Sequence, residues 1–172
     1  IQAEGGSVFL DLKFHDIPNT VARAAEAAVR LNVDMFNFHA SGGSSMMKEA
    51  VRVARDCAGQ LGRPAPVLLA VTVLTSLNNE DLKEIGFQRN TDEQVIHLAG
   101  LAKDAGVSGV VASPQDIARL RETMGSEFVI VTPGIRGAAD PVKDDQKRTL
   151  SAREAIKAGA DYIVVGRPIR AA

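Results

Sequence analysis

Short apolar segments alternate along this chain with longer segments in which apolar residues recur at helical spacing. The short segments are almost continuously hydrophobic, which is typical of parallel strands covered on both faces. The predicted strands span 8–14, 35–39, 67–74, 107–112, 128–132 and 162–165. The predicted helices span 20–31, 45–58, 92–105, 114–124 and 152–158, with a weaker helix near 79–85. The pattern predicts one βα-repeating domain over residues 1–172.

Local chemistry marks several of the predicted helix starts. Thr91 with Gln94, and Ser151 with Glu154, have the spacing of a capping box, in which each side chain satisfies a free backbone N–H. Ser113 precedes a proline, as an N-cap residue does when proline takes the first helical position. These signals support the helices independently of hydrophobic periodicity.

Six βα strands are compatible with two architectures, an open doubly wound sheet and part of an eight-stranded TIM barrel. A complete barrel typically takes about 250 residues, whereas this chain has 172. Both architectures bind ligands at the C-terminal ends of their strands. The candidate residues therefore lie at the strand ends in either case.

Composition and charge narrow the possible partners. The net charge of −1 gives no indication of binding to nucleic acid or to an acidic membrane surface, so an anionic ligand needs a local site. No apolar segment is long enough to cross a bilayer. Cys57 is the single cysteine, and the N-terminal residues lack the layout of a signal peptide, so we expect a cytoplasmic protein.

The end of the first predicted strand carries an unusual set of charges. Asp11 and Lys13 are two residues apart, so in a regular strand their side chains point to the same face. An acid and a base on a buried face cost free energy unless they pair with each other or serve a ligand. Asp16 follows at the turn into the next helix. The spacing leaves two interpretations open: a catalytic Asp-Lys-Asp set, or a salt bridge and a helix cap.

The end of the last predicted strand suggests a place for an anion. Gly166 and Arg167 combine a close-approaching backbone with a forked donor suited to phosphate, although an ordinary turn with a solvated arginine has the same sequence.

The 132–136 turn leads into a polar loop over 137–149, which is either a closing lid or a surface loop. The three histidines and Cys57 show no metal-ligand spacing, so we expect no metal site.

The segment from Phe9 to Thr20 reads FLDLKFHDIPNT and resembles the signature of bacterial orotidine 5'-monophosphate decarboxylases. Five further blocks follow in the order found in that family. They are NFHA (37–40), AVTVLTS (70–76), VTPGIR (131–136), DDQKR (144–148) and VGRPI (165–169). The resemblance favours the TIM barrel over the open sheet.

The resemblance implies a role for each charged residue of the first strand end. Lys13 is the expected proton donor to pyrimidine C6 after carbon dioxide leaves, and Asp11 is expected beside the substrate carboxylate. Asp16, Ile17 and Thr20 are expected to reach into the neighbouring subunit's site. The implied assembly is a homodimer with shared active sites.

The resemblance also implies substrate contacts elsewhere and no cofactor or metal. Thr75 matches a contact to the pyrimidine edge, Pro133 and Arg136 match further substrate contacts, and three positions match the phosphate site. The phosphate positions are Gln146, Gly166 and Arg167. The expected reaction is decarboxylation of orotidine 5'-monophosphate to uridine 5'-monophosphate in pyrimidine biosynthesis.

The chain departs from the family pattern at both ends. The family begins with two further βα units, which carry an Asp and a Lys, and it ends with a closing helix. We therefore interpret 1–172 as a single, incomplete TIM-barrel domain of a longer enzyme.

Two rival interpretations remain. A magnesium-dependent sugar-phosphate decarboxylase or aldolase of the same suprafamily shares the Asp-x-Lys-x-x-Asp strand, but the continuation at 15–20 and Asp145-Gln146 favour the nucleotide enzyme. The other rival is a non-catalytic phosphate-binding module.

Overall fold

The computed structural model describes residues 2–135, 150–166 and 169. Its strands are β1 (Phe9–Phe14), β2 (Met35–His39), β3 (Val67–Val71), β4 (Gly109–Val111), β5 (Val129–Thr132) and β6 (Tyr162–Ile163). Its α-helices are α1 (Pro18–Arg30), α2 (Ser44–Gln60), α3 (Asn79–Glu84), α4 (Thr91–Asp104), α5 (Ile117–Met124) and α6 (Ala152–Ala158).

The chain forms two compact units. The first comprises Ile1–Val71 with Gly100–Gly109, and the second comprises Thr72–Ala99 with Val110–Ala172. Within each unit the strands follow sequence order, β1-β2-β3 in the first and β4-β5-β6 in the second. The pairings of β1 with β2, β2 with β3 and β5 with β6 are all parallel. The predicted alternation of parallel strands with helices is therefore observed in both units.

In the first unit, α1 buries a strip of small apolar residues. Val21, Ala25 and Ala28 recur at three- or four-residue spacing and are almost completely buried, so they lie on one helical face. This helix packs against α2, whose buried residues include Met47 and Ala54. The alanines on the two buried faces leave room for the helices to pack against each other.

The two edges of β2 are paired in different ways. With β3 it pairs without interruption along its whole length. Its pairing with β1 changes register. Leu10 pairs with Phe36 and Phe14 pairs with Phe38, so an advance of four residues along β1 corresponds to an advance of two along β2. The extra residues of β1 therefore have no regular partner on β2, and they include the predicted Asp-Lys pair.

In the second unit, Arg121 connects the turns that follow α5 and α6. Its guanidinium donates hydrogen bonds to five acceptors at 2.7–2.9 Å. The acceptors are the carbonyl oxygens of Gly125, Ser126, Phe128 and Gly159 and the carboxylate of Asp161. The same carboxylate accepts from the N–H of Ile130 at 2.7 Å, which fixes the turn to β5.

Most element boundaries lie within about two residues of the sequence prediction, and two elements differ by more. β2 and α6 have the predicted limits, whereas β3 ends at Val71 rather than at residue 74. The predicted helix over 114–124 begins instead as a 3-10 turn over Pro114–Asp116 before α5. Ser113 caps that turn, since its Oγ accepts from the N–H of Gln115 at 3.4 Å.

One of the two predicted capping boxes is confirmed and the other is wrong. Ser151 and Glu154 form the reciprocal pair at the start of α6. Thr91 does not cap α4, because Asn90 accepts from the N–H of Glu93 at 2.9 Å and occupies the cap position. Asparagine is the stronger cap former of the two neighbours, so the helix begins one residue after it.

Candidate active site

The irregular end of β1 brings Asp11 and Lys13 together. The ammonium Nζ of Lys13 lies 2.7 Å from Oδ1 of Asp11, and the two side chains remain 38% and 46% exposed. The contact does not arise from a flat strand, because the register shift falls at these residues. A pair this exposed contributes about 0–1 kcal/mol to folding, so stability alone gives little reason for it.

Lys13 also has an unfavourable backbone conformation. Its φ is +50°, in the left-handed region that residues other than glycine rarely adopt. The left-handed conformation costs roughly 1–2 kcal/mol in a residue with a Cβ. The gain from the ion pair and the cost of the backbone are therefore of similar size. Strained backbone of this kind is concentrated at functional sites.

Asn37 on β2 binds both members of the pair, and it was not identified from the sequence. Its Oδ1 accepts from the backbone N–H of Lys13 at 2.8 Å, and its Nδ2 donates to Oδ1 of Asp11 at 2.6 Å. Asn37 is fully buried. The available signal was its position, since it is the polar residue between Phe36 and Phe38 in an otherwise apolar segment.

Two histidines lie beside this group. The rings of His15 and His39 are 5.3 Å apart between centroids. Burial lowers the pKa of His39 below its ordinary value of 6.5, the charges of His15 and Lys13 lower it further, and Asp11 opposes the shift. His39 is therefore favoured in its neutral form, as a ring able both to donate and to accept.

The remaining first-unit candidates lie at the turn into α1. Asp16 Oδ1 accepts from the N–H of Ile17 at 2.6 Å, so this carboxylate binds the turn itself. Ile17 is 66% exposed although it is a large apolar residue, and Thr20 is also exposed on the first turn of α1. A single exposed apolar side chain is ordinary on a protein surface, so the exposure of Ile17 leaves it accessible and does not by itself identify a contact.

The second unit holds the described part of the predicted substrate contacts. Thr75 is half-buried in the segment between β3 and α3, Pro133 is half-buried after β5, and Gly166 is exposed after β6. Thr132, immediately before Pro133, is fully buried, and its hydroxyl has no hydrogen-bond partner in the described part of the chain. Three further predicted contacts lie outside the described residues. They are Arg136, Gln146 and Arg167.

Within 2–135, 150–166 and 169, no group of three or more His, Cys, Asp or Glu residues has the geometry to hold a metal ion. None of the helices in these ranges combines the length and hydropathy needed to cross a membrane.

Comparison with known families gives a match over the whole chain. A family model described as "Orotidine 5'-phosphate decarboxylase / HUMPS family" matches residues 1–172. The orotidine 5'-phosphate decarboxylase of Syntrophus aciditrophicus is 61% identical over 172 residues, which are 100% of this chain and 68% of that protein. The enzyme of the same name from Moorella thermoacetica is 56% identical over 173 residues, again covering 68% of its length.

Solved structures agree with the sequence matches. The orotidine 5'-phosphate decarboxylase of Lactobacillus acidophilus has a TM-score of 0.86 and 40% identity, over 99% of this chain and 71% of that one. An uncharacterized conserved protein from Geobacillus kaustophilus has a TM-score of 0.84 and 38% identity, over 99% of this chain and 72% of its own. The prediction of six βα strands of a TIM barrel is confirmed, and the open-sheet alternative is wrong.

Proposed function

The chain belongs to the orotidine 5'-phosphate decarboxylase / HUMPS family, and from this premise we propose that it decarboxylates orotidine 5'-monophosphate to uridine 5'-monophosphate without a metal or cofactor. The observation that carries the proposal is the Lys13–Asp11 contact of 2.7 Å on a strained strand end. In the proposed reaction the negative charge of the substrate carboxylate is lost with carbon dioxide, and a new negative charge forms at C6. A cation held in place by an anion suits this change.

The chemistry places its main demand on one cation. When the bond between C6 and the carboxylate breaks, carbon dioxide leaves and the electron pair stays on C6. Water stabilises such a carbanion poorly, whereas a fixed ammonium stabilises it electrostatically. The Lys13 ammonium then donates a proton to C6, which forms the C6–H bond and leaves a neutral amine that solvent reprotonates.

Asp11 has two roles in this proposal. It holds the ammonium of Lys13 in place through the 2.7 Å contact. It also lies next to the substrate carboxylate, so loss of carbon dioxide relieves the repulsion between two anions. Ground-state effects of this kind are disputed as a general source of catalysis, and the positioning of Lys13 does not depend on them.

The other assignments follow from the family resemblance and from exposure. Ile17, Thr20 and Asp16 would complete the site of a second subunit in a homodimer, and the 66% exposure of Ile17 leaves it accessible for such a contact. Thr75 and Pro133 would contact the base and ribose side of the substrate. The proposed phosphate and closing contacts are Arg136, Gln146, Gly166 and Arg167. Binding energy from a remote phosphate can hold the reactive geometry at C6. We further propose a cytoplasmic location.

The test is a decarboxylation assay of the purified protein in the presence of a chelator. Orotidine 5'-monophosphate is the substrate, and the loss of orotate absorbance is the signal. We expect turnover in the wild type, loss of turnover in Lys13→Ala, and full turnover in Lys48→Ala. Lys48 is the matched control because it is an exposed lysine on α2 in the same unit.

Three results would contradict the proposal, and the first is an absence of turnover in the wild type. Turnover that persists in Lys13→Ala would remove Lys13 from the reaction. Turnover that the chelator abolishes and that magnesium restores, especially with a sugar-phosphate substrate, would favour the metal-dependent rival.

A further inference from the structure

Asn37 occupies an unusual position in the first unit. It lies in the middle of β2, and its backbone pairs regularly with Leu69 of β3. Its side chain faces the place where the pairing of β1 with β2 is interrupted between Leu10 and Phe14. A buried carboxamide there is costly unless its polar atoms are satisfied.

The side-chain hydrogen bonds of Asn37 go to Lys13 and Asp11, the proposed reactive pair. Its Oδ1 replaces the missing β2 acceptor for the N–H of Lys13, at 2.8 Å. Its Nδ2 donates to Asp11 at 2.6 Å, to the same Oδ1 that accepts from the Lys13 ammonium at 2.7 Å. One rigid amide therefore fixes the backbone of the cation and the side chain of its partner.

We propose that Asn37 is a positioning residue for the decarboxylation, holding Lys13 in its left-handed conformation and Asp11 in contact with the ammonium. This inference rests on the function proposed above. Asn37 acts through the other two residues and has no assigned contact with the substrate.

The neutrality of the amide matters to this role. An arginine or lysine in its place would compete with Lys13 for Asp11, and a carboxylate would repel Asp11. A carboxamide supplies one donor and one acceptor with no net charge, so the fields of Asp11 and Lys13 remain directed at the substrate. Fixed dipoles of this kind need no reorganisation during the reaction.

Two substitutions separate the two hydrogen bonds. Asn37→Asp keeps an acceptor for the N–H of Lys13 but replaces the donor to Asp11 with an oxygen. Asn37→Leu keeps a similar volume and removes both hydrogen bonds. Ser108→Ala is the control, because Ser108 also uses its side chain to accept from a strand N–H in this unit, that of Leu68 at 3.2 Å.

The experiment combines steady-state kinetics with residue-resolved amide hydrogen exchange on the full chain. We expect kcat to fall about 10²-fold in both Asn37 variants, as for a displacement of about 1 Å at a catalytic group, with KM little changed. Protection of the Lys13 amide should be lost in Asn37→Leu and retained in Asn37→Asp. Ser108→Ala should lower protection at Leu68 and leave kcat unchanged.

The outcomes are separable. If the wild type turns over substrate and both Asn37 variants match its kcat, the inference is wrong while the proposed function stands. A kcat loss that only follows the loss of folded protein, or Lys13 amide protection that survives in Asn37→Leu, also overturns it. No turnover by the wild type would overturn the proposed function itself.

Discussion

Two cation–carboxylate pairs of nearly equal length have different surroundings in this molecule. Lys13 and Asp11 are 2.7 Å apart in the first unit, and Arg121 and Asp161 are 2.8 Å apart in the second. The Arg121 guanidinium is also bound to four backbone carbonyls. In the described part of the chain, the Lys13 ammonium has one recorded acceptor, Asp11 Oδ1.

If Lys13 acts as proposed, the difference separates a cation whose donors are taken up by the fold from one whose donors remain available to a substrate. A guanidinium whose donors are directed at surrounding carbonyls has little left for a ligand. An ammonium has three donors, and one held by a single carboxylate can still turn toward a substrate. Backbone conformation points the same way, since Lys13 is in the left-handed region at φ +50°, while Arg121 lies within the regular helix α5.

The largest expected effect is on activity at the Lys13 pair. Lys13→Ala should lower kcat by at least about 10³-fold, because both electrostatic stabilisation and proton donation are lost. The melting temperature should change little, since the pair is exposed. A steady-state assay and a thermal melt of the same sample measure both quantities. A large fall in melting temperature would show that the pair is mainly structural.

The next effect is on stability at the Arg121 pair. Arg121→Met should lower the free energy of unfolding by about 2–3 kcal/mol, because several hydrogen bonds to a charged donor are removed. Denaturant unfolding measures this loss, and kcat at low temperature should not change. Arg119→Met is the control, since Arg119 is 53% exposed and lies 3.9 Å from Asp92. Equal losses in the two variants would contradict the structural role of Arg121.

A smaller effect concerns the backbone of Lys13. Lys13→Gly should be more stable than Lys13→Ala by about 0.5–1 kcal/mol, because glycine avoids the left-handed penalty of roughly 1–2 kcal/mol and loses part of that gain to its greater chain entropy, about 0.5–1 kcal/mol. Both variants should be inactive. Denaturant midpoints of the two variants, compared at equal slope, measure the difference. Greater stability of the alanine variant would show that the left-handed conformation of residue 13 is not maintained in solution.

The smallest effect is a pH dependence at His39. The pKa of His39 is lowered in the folded protein, so near and below pH 6.5 the unfolded chain binds more protons than the folded one. The free energy of unfolding is therefore fully present above that pH. It falls as the pH decreases toward the pKa of His39 in the folded protein. The melting temperature of the wild type should therefore fall more than that of His39→Gln between about pH 7.5 and pH 5.5. Parallel curves for the two proteins would contradict this expectation.

The repeating part of the fold was predictable from the sequence because its signals are local. Continuous apolar segments identified β2, and the reciprocal spacing of Ser151 and Glu154 identified the start of α6. The error at Thr91 has a physical reason: both Asn90 and Thr91 can cap a helix, and spacing alone does not rank them. Local signals therefore predict which helices and strands form more accurately than they predict the residue at which each one begins.

The site was less predictable because it depends on an irregularity. The sequence prediction placed Asp11 and Lys13 together because residues two apart share a face of a regular strand. That reason does not hold in the folded chain, where the register of β1 shifts. The same shift brings Asn37 into contact with both, and no periodic pattern encodes it. A single asparagine among aromatic residues was the available signal.

Within each unit, the pairing of strands that are consecutive in the sequence has a consequence for how the chain acquires its structure. Phe9 pairs with Met35, Met35 with Val67 and Val131 with Tyr162, so each pairing closes a loop of similar, moderate length. Loop-closure entropy grows only slowly with length, and such contacts become available soon after each second strand emerges during synthesis. We expect pulse-labelling hydrogen exchange on stalled nascent chains to show β1–β2 protection before β3 (Val67–Val71) emerges from the ribosome. Synthesis order and pairing order would then be the same.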